Sequence, residues 1–255
     1  MKSSHKSWAS ESRTFKFPIG EPANVLVNLG LLSIPLLLVV GFVVGKYNSD
    51  RTRRTWRPLR MATSLVLVLC AGVLWMESTA LRGAALLIFL GMTFGFVGDL
   101  ILAQVIPTPS RVLFGLIPFA LGHICYVLAF GQAAKVLGLN DPLTGSVVWA
   151  VYVITAGLSW AMLIYNPAKP RALNVGSLIY AWLISLMAGT AAGLAIQDAR
   201  FGLTALGGLL FLISDVILGN RELRDNAWFL VHDVVWVIYI TGQALIVLTT
   251  VWALG

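Results

Sequence analysis

Residues 83–105 read GAALLIFLGMTFGFVGDLILAQV, and Asp99 is the one charged residue in this run. A helix that crosses a bilayer needs about 20 mostly apolar residues. Backbone N–H and C=O groups must be paired inside hydrocarbon, and a long apolar run without strict alternation meets that need as a helix. The stretch is therefore predicted to be a transmembrane helix that carries a carboxyl group.

The composition extends this prediction to the whole chain. Of 255 residues, 58% are hydrophobic and 11% are charged, and the mean hydropathy is +0.85. Soluble domains carry about 25% charged residues, so lipid is the solvent for most of this chain. We predict an all-α, polytopic membrane bundle of eight transmembrane helices. The predicted spans are Val25–Val44, Leu59–Met76, Gly83–Val105, Val112–Ala134, Leu143–Tyr165, Val175–Ile196, Phe201–Leu218 and Trp228–Trp252.

The charged residues divide the chain and suggest its orientation. We predict a polar, basic N-terminal tail over residues 1–22 and a transmembrane domain over residues 23–255. The formal net charge is +7, and the basic residues concentrate in loops, above all in residues 46–60. Positive loops favour the cytoplasmic side, so loop 46–60 is expected there. The protein is expected in a bacterial plasma membrane, or in the endoplasmic reticulum of a eukaryote. Nucleic-acid binding is not expected, because these basic residues do not line a folded polar face.

Two stretches of the sequence repeat. Residues 95–103 (GFVGDLILA) resemble residues 211–219 (FLISDVILG), and residues 122–128 (GHICYVL) resemble residues 242–248 (GQALIVL). The matching spans are four apart, so they run in the same direction. We predict two parallel four-helix pseudo-repeats related by an axis along the membrane normal, with Asp99 and Asp215 at equal depth.

Asp99 and Asp215 are the leading candidates for chemistry. A carboxylate at bilayer depth costs several kcal/mol unless it is paired, protonated or hydrated. One interpretation is that each lies at the interface and is simply hydrated. The other is a shared polar cavity in which the two carboxyls cannot both ionise, so that one acts as an acid and the other as a base.

Other polar groups inside the spans are weaker candidates. His123 is either a hydrogen-bonded packing residue or a third catalytic group. Tyr180, Tyr239 and Gln243 are expected to form helix–helix hydrogen bonds or to position a substrate. Arg57 belongs to a set of loop cations, one or two of which are expected to hold a substrate phosphate. No cofactor is expected, although Asp99, Asp215 and His123 together offer three ligands, so a metal site remains an alternative.

At these motifs the sequence resembles the YhhN-type, lysoplasmalogenase-like membrane family. The matching pieces are Arg57-Pro58, Gly98-Asp99, Phe119 through Gly122-His123 to Tyr126, Tyr180, Gly207 through Ser214-Asp215, and Tyr239 through Gln243 to Ile246. The resemblance covers most of the chain and leaves out the basic tail. Arg57 stands where many relatives have lysine, and Tyr126 and Ser214 join the expected substrate-binding residues.

This resemblance implies a reaction. Family members of known activity hydrolyse the vinyl-ether bond of lysoplasmalogens to a fatty aldehyde and a glycerophospho-alcohol. The implied partners are a lysophospholipid substrate and membrane lipid. Two further hypotheses remain: a proton-coupled lipid or amphiphile transporter, which the parallel repeat also suits, and a non-catalytic membrane module.

Overall fold

A computed structural model describes residues 19–253, and over that range the chain is helical apart from its turns and loops. Eight helices are long and apolar enough to cross a membrane, which identifies a multi-pass integral membrane protein. They are α1 (Glu21–Val44), α2 (Arg57–Glu77), α3 (Arg82–Leu102), α4 (Arg111–Leu137), α5 (Pro142–Ser159), α6 (Arg171–Gln197), α7 (Gly202–Arg224) and α8 (Val231–Trp252).

The predicted all-α bundle of eight spans is confirmed, with differences at the helix ends. Helix α1 begins at Glu21, inside the predicted tail, while the rest of that tail up to residue 18 lies outside the described residues. Helix α3 ends at Leu102, before a turn in which Gln104 has φ 59°. Helix α7 continues to Arg224, two turns beyond its last apolar run, because polar side chains at a helix end are hydrated where the helix leaves the membrane. Helix α8 begins at Val231, directly after Leu230 with φ 61°.

Helices α2, α3, α4, α6, α7 and α8 form a ring. Each packs on its neighbours in that order, and contacts between α8 and α2 close the ring. Helices α1 and α5 lie outside it, packed chiefly on α2 and α6, and are the least buried of the eight. Every helix pair of the first half (α1–α2, α2–α3, α3–α4) thus has a counterpart in the second (α5–α6, α6–α7, α7–α8). This pairing is the arrangement that the predicted parallel repeat requires.

Glycines set the closest helix approaches at corresponding places in the two halves. A Cβ atom on Gly122 of α4 would lie 2.9 Å from the carbonyl oxygen of Gly91 on α3. A Cβ atom on Gly242 of α8 would lie 2.8 Å from the carbonyl oxygen of Gly207 on α7. Backbone packed this tightly leaves no room for a side chain, as at small-residue contacts between membrane helices generally.

We expect Gly122→Ala to destabilise the bundle, because its methyl group meets backbone of α3 that cannot move aside. Overpacking of this kind costs about 1–3 kcal/mol. The matched control is Gly131→Ala on the same helix, where nothing lies within 4 Å of an added Cβ. Thermal unfolding in detergent should show a lower transition temperature for Gly122→Ala and an unchanged or slightly higher one for Gly131→Ala. Equal transitions would contradict this account of the α3–α4 contact.

Candidate active site

A polar cavity of about 490 Å³ lies at the end of the ring where α2, α4 and α8 begin. Asp99 from α3 and Asp215 from α7 both line it. Its other lining residues are Asn48, Asp50, Thr52, Arg53, Arg57, Arg60, Met61, Leu102, Ala103, Gln104, Arg111, Phe119, Leu218, Arg221, Glu222, His232, Val235, Trp236 and Tyr239.

Asp99 is buried and receives hydrogen bonds from two other helices. The Ser64 hydroxyl of α2 donates to its Oδ2 atom at 2.5 Å, and the Tyr239 hydroxyl of α8 donates to the same atom at 3.0 Å. Gln243 Nε2 donates to the Tyr239 oxygen at 3.2 Å, and the Tyr126 hydroxyl donates to Gln243 Oε1 at 2.7 Å. The chain Tyr126–Gln243–Tyr239–Asp99 therefore has a fixed donor direction that ends at the carboxyl.

Asp215 is held by a shorter chain. The Tyr180 hydroxyl of α6 donates to Asp215 Oδ2, and His123 Nε2 of α4 lies 3.0 Å from the same hydroxyl oxygen. Tyr180 has one proton to give, so when it donates to Asp215, Nε2 of His123 carries the proton of the second bond. Ser214 Oγ lies 3.3 Å from Asp215 Oδ1 but bonds the Phe211 carbonyl oxygen more closely, at 2.7 Å.

The two carboxyls occupy corresponding places in the repeat. The hydroxyl donor on the preceding helix stands 35 positions before its aspartate in both pairs, Ser64 before Asp99 and Tyr180 before Asp215. His123 and Gln243 also occupy corresponding positions, because each directly follows the glycine of its helix contact, Gly122 or Gly242. The donors differ in kind, so the two carboxyls have equivalent positions but different surroundings.

His123 reaches the site only indirectly. It is 1% exposed, it packs on the Phe211 ring at a centroid distance of 4.7 Å, and it is not among the cavity-lining residues. Its Nδ1 atom is buried without a hydrogen-bond partner among residues 19–253. His123 thus lies behind Tyr180, hydrogen-bonded to its hydroxyl, and does not line the polar cavity.

Five arginines line the polar cavity, and two of them are paired. Arg111 forms an ion pair of 2.8 Å with Glu222, and Arg221 forms one of 3.3 Å with Asp50. Within the part of the chain that the structure describes, the other three (Arg53, Arg57 and Arg60) form no ion pair. These three remain available to an anion.

Two of the unpaired arginines, Arg53 and Arg60, have different surroundings. Burial, together with the charge of nearby Arg57, lowers the pKa of Arg53 from its ordinary value. An anion bound here would relieve that repulsion. The guanidinium of Arg60 stacks over the Trp236 ring, 4.5 Å from its centroid, in a cation–π contact.

The loop between α1 and α2 is tied across the mouth of the cavity. The buried carboxyl of Asp233 accepts the backbone N–H of Arg54 at 2.6 Å and that of Thr55 at 3.0 Å. The backbone N–H of His232 donates to the carbonyl oxygen of Thr52 at 2.9 Å. These bonds attach the loop to the first turn of α8, and Arg53 of the loop lines the polar cavity with the aspartates.

An apolar cleft adjoins the polar cavity. It runs between α4, α5, α6 and α7 and has about 70 Å³ of free space. Asp215, Phe119, Leu102, Leu218 and Glu222 belong to the walls of both spaces. The other residues that line this apolar cleft are Val112, Leu116, Ala156, Ile164, Ser177, Tyr180, Ala181, Ile184, Leu212, Val216, Gly219 and Leu223.

The predicted substrate-binding residues lie in three places: in the wall of the polar cavity, in the wall of the apolar cleft, and behind these walls. Tyr239 and Arg57 line the polar cavity, and Tyr180 lines the apolar cleft. Tyr126, Gln243 and Ser214 stand behind the lining residues. Two further loop cations, Lys169 and Arg224, do not line the polar cavity. Lys169 pairs with Asp225, and Arg224 donates to the Tyr165 carbonyl oxygen.

Sequence reasoning missed four residues of the site: Ser64, Arg53, Arg111 and Trp236. A serine within an apolar span gives no signal of its own. The two arginines belong to the basic loop ends, but sequence position does not show which side chains face inward. The repeat offered a signal for Ser64, because it stands where Tyr180 stands in the second half.

We expect Asp233→Ala to release the loop from α8 without unfolding the bundle. Hydrogen bonds to charged groups contribute about 1.5–3 kcal/mol each, so opening of the loop should increase at least tenfold. Hydrogen exchange measured by mass spectrometry should show this as faster exchange over residues 46–56. Asp225→Ala, which removes an exposed carboxylate from the neighbouring loop, is the control. Unchanged exchange in Asp233→Ala would show that the loop is held in another way.

The chain matches the sequence model of a known protein family. The sequence model of the YhhN family matches residues 55–250, from just before α2 to near the end of α8. No solved structure matches the chain. The match includes both aspartates, their hydroxyl partners and the repeat, and it begins after α1. The chain belongs to the YhhN family.

Proposed function

We propose that the protein hydrolyses the vinyl-ether bond of a lysoplasmalogen, releasing a fatty aldehyde and a glycerophospho-alcohol such as glycerophosphoethanolamine or glycerophosphocholine. The observation that carries the proposal is that Asp99 and Asp215, from two separate helices, line one polar cavity inside a membrane bundle. The family is linked to this reaction, which supports the same assignment. The proposed enzyme is an ether hydrolase.

The reaction requires an acid and a base in one place. A carboxyl donates its proton to the β-carbon of the vinyl ether, and the ether carbon becomes an oxocarbenium ion. The other carboxylate stabilises that positive charge and takes a proton from the attacking water, as paired carboxyls do in glycoside hydrolysis. The resulting hemiacetal breaks its carbon–oxygen bond. The hydroxyl proton leaves the hemiacetal, the glycerol oxygen gains a proton, and the aldehyde is released.

The hydrogen bonds from Tyr239 and Tyr180 orient the two carboxyls for these roles. Tyr239 and Tyr180 each donate to one aspartate, and each is oriented by a further buried group, Gln243 or His123. Side chains held by hydrogen bonds on two sides keep their geometry through the reaction, which is the main requirement for positioned acid–base groups. His123 acts in this scheme as a positioning residue.

The unpaired arginines suit the phosphate of the substrate. Arg53, Arg57 and Arg60 line the mouth of the cavity that contains the aspartates. A guanidinium binds phosphate through two parallel hydrogen bonds, which both attract and orient it. The proposed substrate therefore enters with its headgroup on the loop side of the membrane. We propose that this side is cytoplasmic, in a bacterial plasma membrane or in the endoplasmic reticulum.

A proton-coupled lipid or amphiphile transporter is the second candidate, and the parallel repeat favours it. Carriers open their central site to both sides of the membrane in turn. Here the glycine contacts that hold α3 against α4 and α7 against α8 lie eight residues, or about 12 Å, deeper than the aspartates. Sealed vesicles distinguish the two functions, since a transporter moves the lipid unchanged and a hydrolase releases aldehyde.

We expect Asp99→Asn and Asp215→Asn each to abolish aldehyde release, because an amide neither gives nor takes the required proton. Loss of a general acid or base costs about 10²–10⁴-fold in rate. The assay is mass spectrometry of aldehyde and glycerophospho-alcohol after incubation with 1-alkenyl lysophospholipid. Asp225→Asn, in an exposed loop, is the control for handling and folding. Full activity in both mutants would reject these roles.

We expect Arg57→Gln to raise KM for 1-alkenyl lysophospholipid about tenfold while kcat changes little, because the lost contact is to the headgroup and not to the reacting carbons. Arg171→Gln, which removes a cation outside the polar cavity, should leave both constants unchanged. An equal effect of Arg57→Gln on a 1-alkenyl glycerol without phosphate would argue against phosphate recognition.

A further inference from the structure

The apolar cleft lies beside Asp215 and not beside Asp99. Leu116 of α4 lines it, six residues before Gly122. At the corresponding place on α8, six residues before Gly242, stands Trp236, which is 5% exposed. The Trp236 indole is fixed by a hydrogen bond to Thr63 Oγ1 at 3.2 Å. The larger Trp236 side chain lines the polar cavity together with Asp99, at the position that corresponds to Leu116 in the cleft.

The lining of the cleft indicates the chemistry of what it binds. Its polar side chains already have partners inside the protein. Ser177 accepts a hydrogen bond from Trp160 and donates to the Asn174 carbonyl oxygen, Tyr180 bonds Asp215, and Glu222 pairs with Arg111. Apolar side chains from five helices, α3 to α7, form the rest of the wall. A space with no free polar group selects an apolar occupant.

The size and position of the cleft further limit which apolar molecules can bind in it. The space open to the centre of a water molecule is about 70 Å³ in the cleft and about 490 Å³ in the polar cavity, so the cleft is much narrower and suits a single hydrocarbon chain. Asp215 stands where the two spaces meet, with arginines on one side of it and hydrocarbon side chains on the other. An occupant of both spaces has an anionic head, a single apolar chain and its head-to-chain junction at Asp215.

We propose that the apolar cleft is the binding site for the hydrocarbon chain of the substrate and that it sets the chain-length preference. This inference rests on the proposed function for the identity of the lipid. In this pose the vinyl carbons, which are the first two carbons of the chain, lie beside Asp215. Ala156 on α5 and Ile184 on α6 are then specificity-determining residues.

Ala156 and Ile184 act at different parts of the cleft. Ala156 is the buried residue of α5, and its small side chain leaves the cleft open. Ile184 is 2% exposed and lies one helical turn deeper than Tyr180, at the inner end. Leucine at position 156 narrows the cleft, and alanine at position 184 lengthens it.

The test measures kcat/KM for 1-alkenyl lysophospholipids of graded chain length, from decenyl to octadecenyl. We expect Ala156→Leu to lower kcat/KM for the longest chains about tenfold while sparing the shortest, the size of effect that a few methylenes have in an apolar pocket. Ile184→Ala should move the preference towards longer chains. Ala150→Leu, an identical substitution at an exposed position of α5, should change nothing.

Binding of saturated 1-alkyl lysophospholipids provides a readout without chemistry, because they have no double bond to protonate. Chain-dependent binding that Ala156→Leu weakens, together with no aldehyde from the wild-type protein, would keep this inference and reject the hydrolase. Aldehyde release with the wild-type chain profile in both Ala156→Leu and Ile184→Ala would keep the hydrolase and overturn this inference. If Ala156→Leu does not fold, Ile184→Ala decides alone.

Discussion

The constraint on which this structure depends is the cost of placing two carboxyl groups inside a membrane. Asp99 and Asp215 meet that cost in the same way, by hydrogen bonds from neighbouring helices and by facing a polar cavity. Because Ser64 and Tyr239 come from α2 and α8, the bonds to Asp99 join three helices. The bond from Tyr180 joins α6 to α7. The aspartates thus tie the ring together at the depth where the proposed reaction takes place.

The repeat explains how two carboxyls come to share one cavity. A four-helix unit with a hydroxyl donor, an aspartate and a glycine contact occurs twice in the chain, and the aspartates of both units line the polar cavity. Identical surroundings would give both carboxyls the same acidity, and acid–base chemistry needs them to differ. The differences lie at corresponding positions, serine against tyrosine at 64 and 180 and leucine against tryptophan at 116 and 236.

The sequence predicts the spans and the aspartate pair for the same reason: lipid penalises charge strongly, so apolar length and isolated carboxyls both stand out. It does not predict which side chains face the cavity. Helices that are apolar on every face carry no stripe to fix their rotation, so Ser64 and Trp236 give no sign of their direction. The bond from Arg54 to Asp233 spans 179 positions and depends on the finished ring. Hydropathy therefore locates the elements, and only packing assembles the site.

The two outer helices show that the asymmetry extends beyond the aspartates. Helices α1 and α5 hold corresponding places, each packed on the outside of the ring. Helix α5 lies within the family match and contributes Ala156 to the apolar cleft, whereas α1 lies before residue 55, where that match begins. Trp236 of α8 lines the polar cavity at the position that corresponds to Leu116 of the cleft. Helix α5 therefore forms part of the cleft wall in addition to packing on α6, whereas α1 lines neither the apolar cleft nor the polar cavity. Sequence constraint is then expected to fall more strongly on α5 than on α1, and the boundary of the family match follows that division.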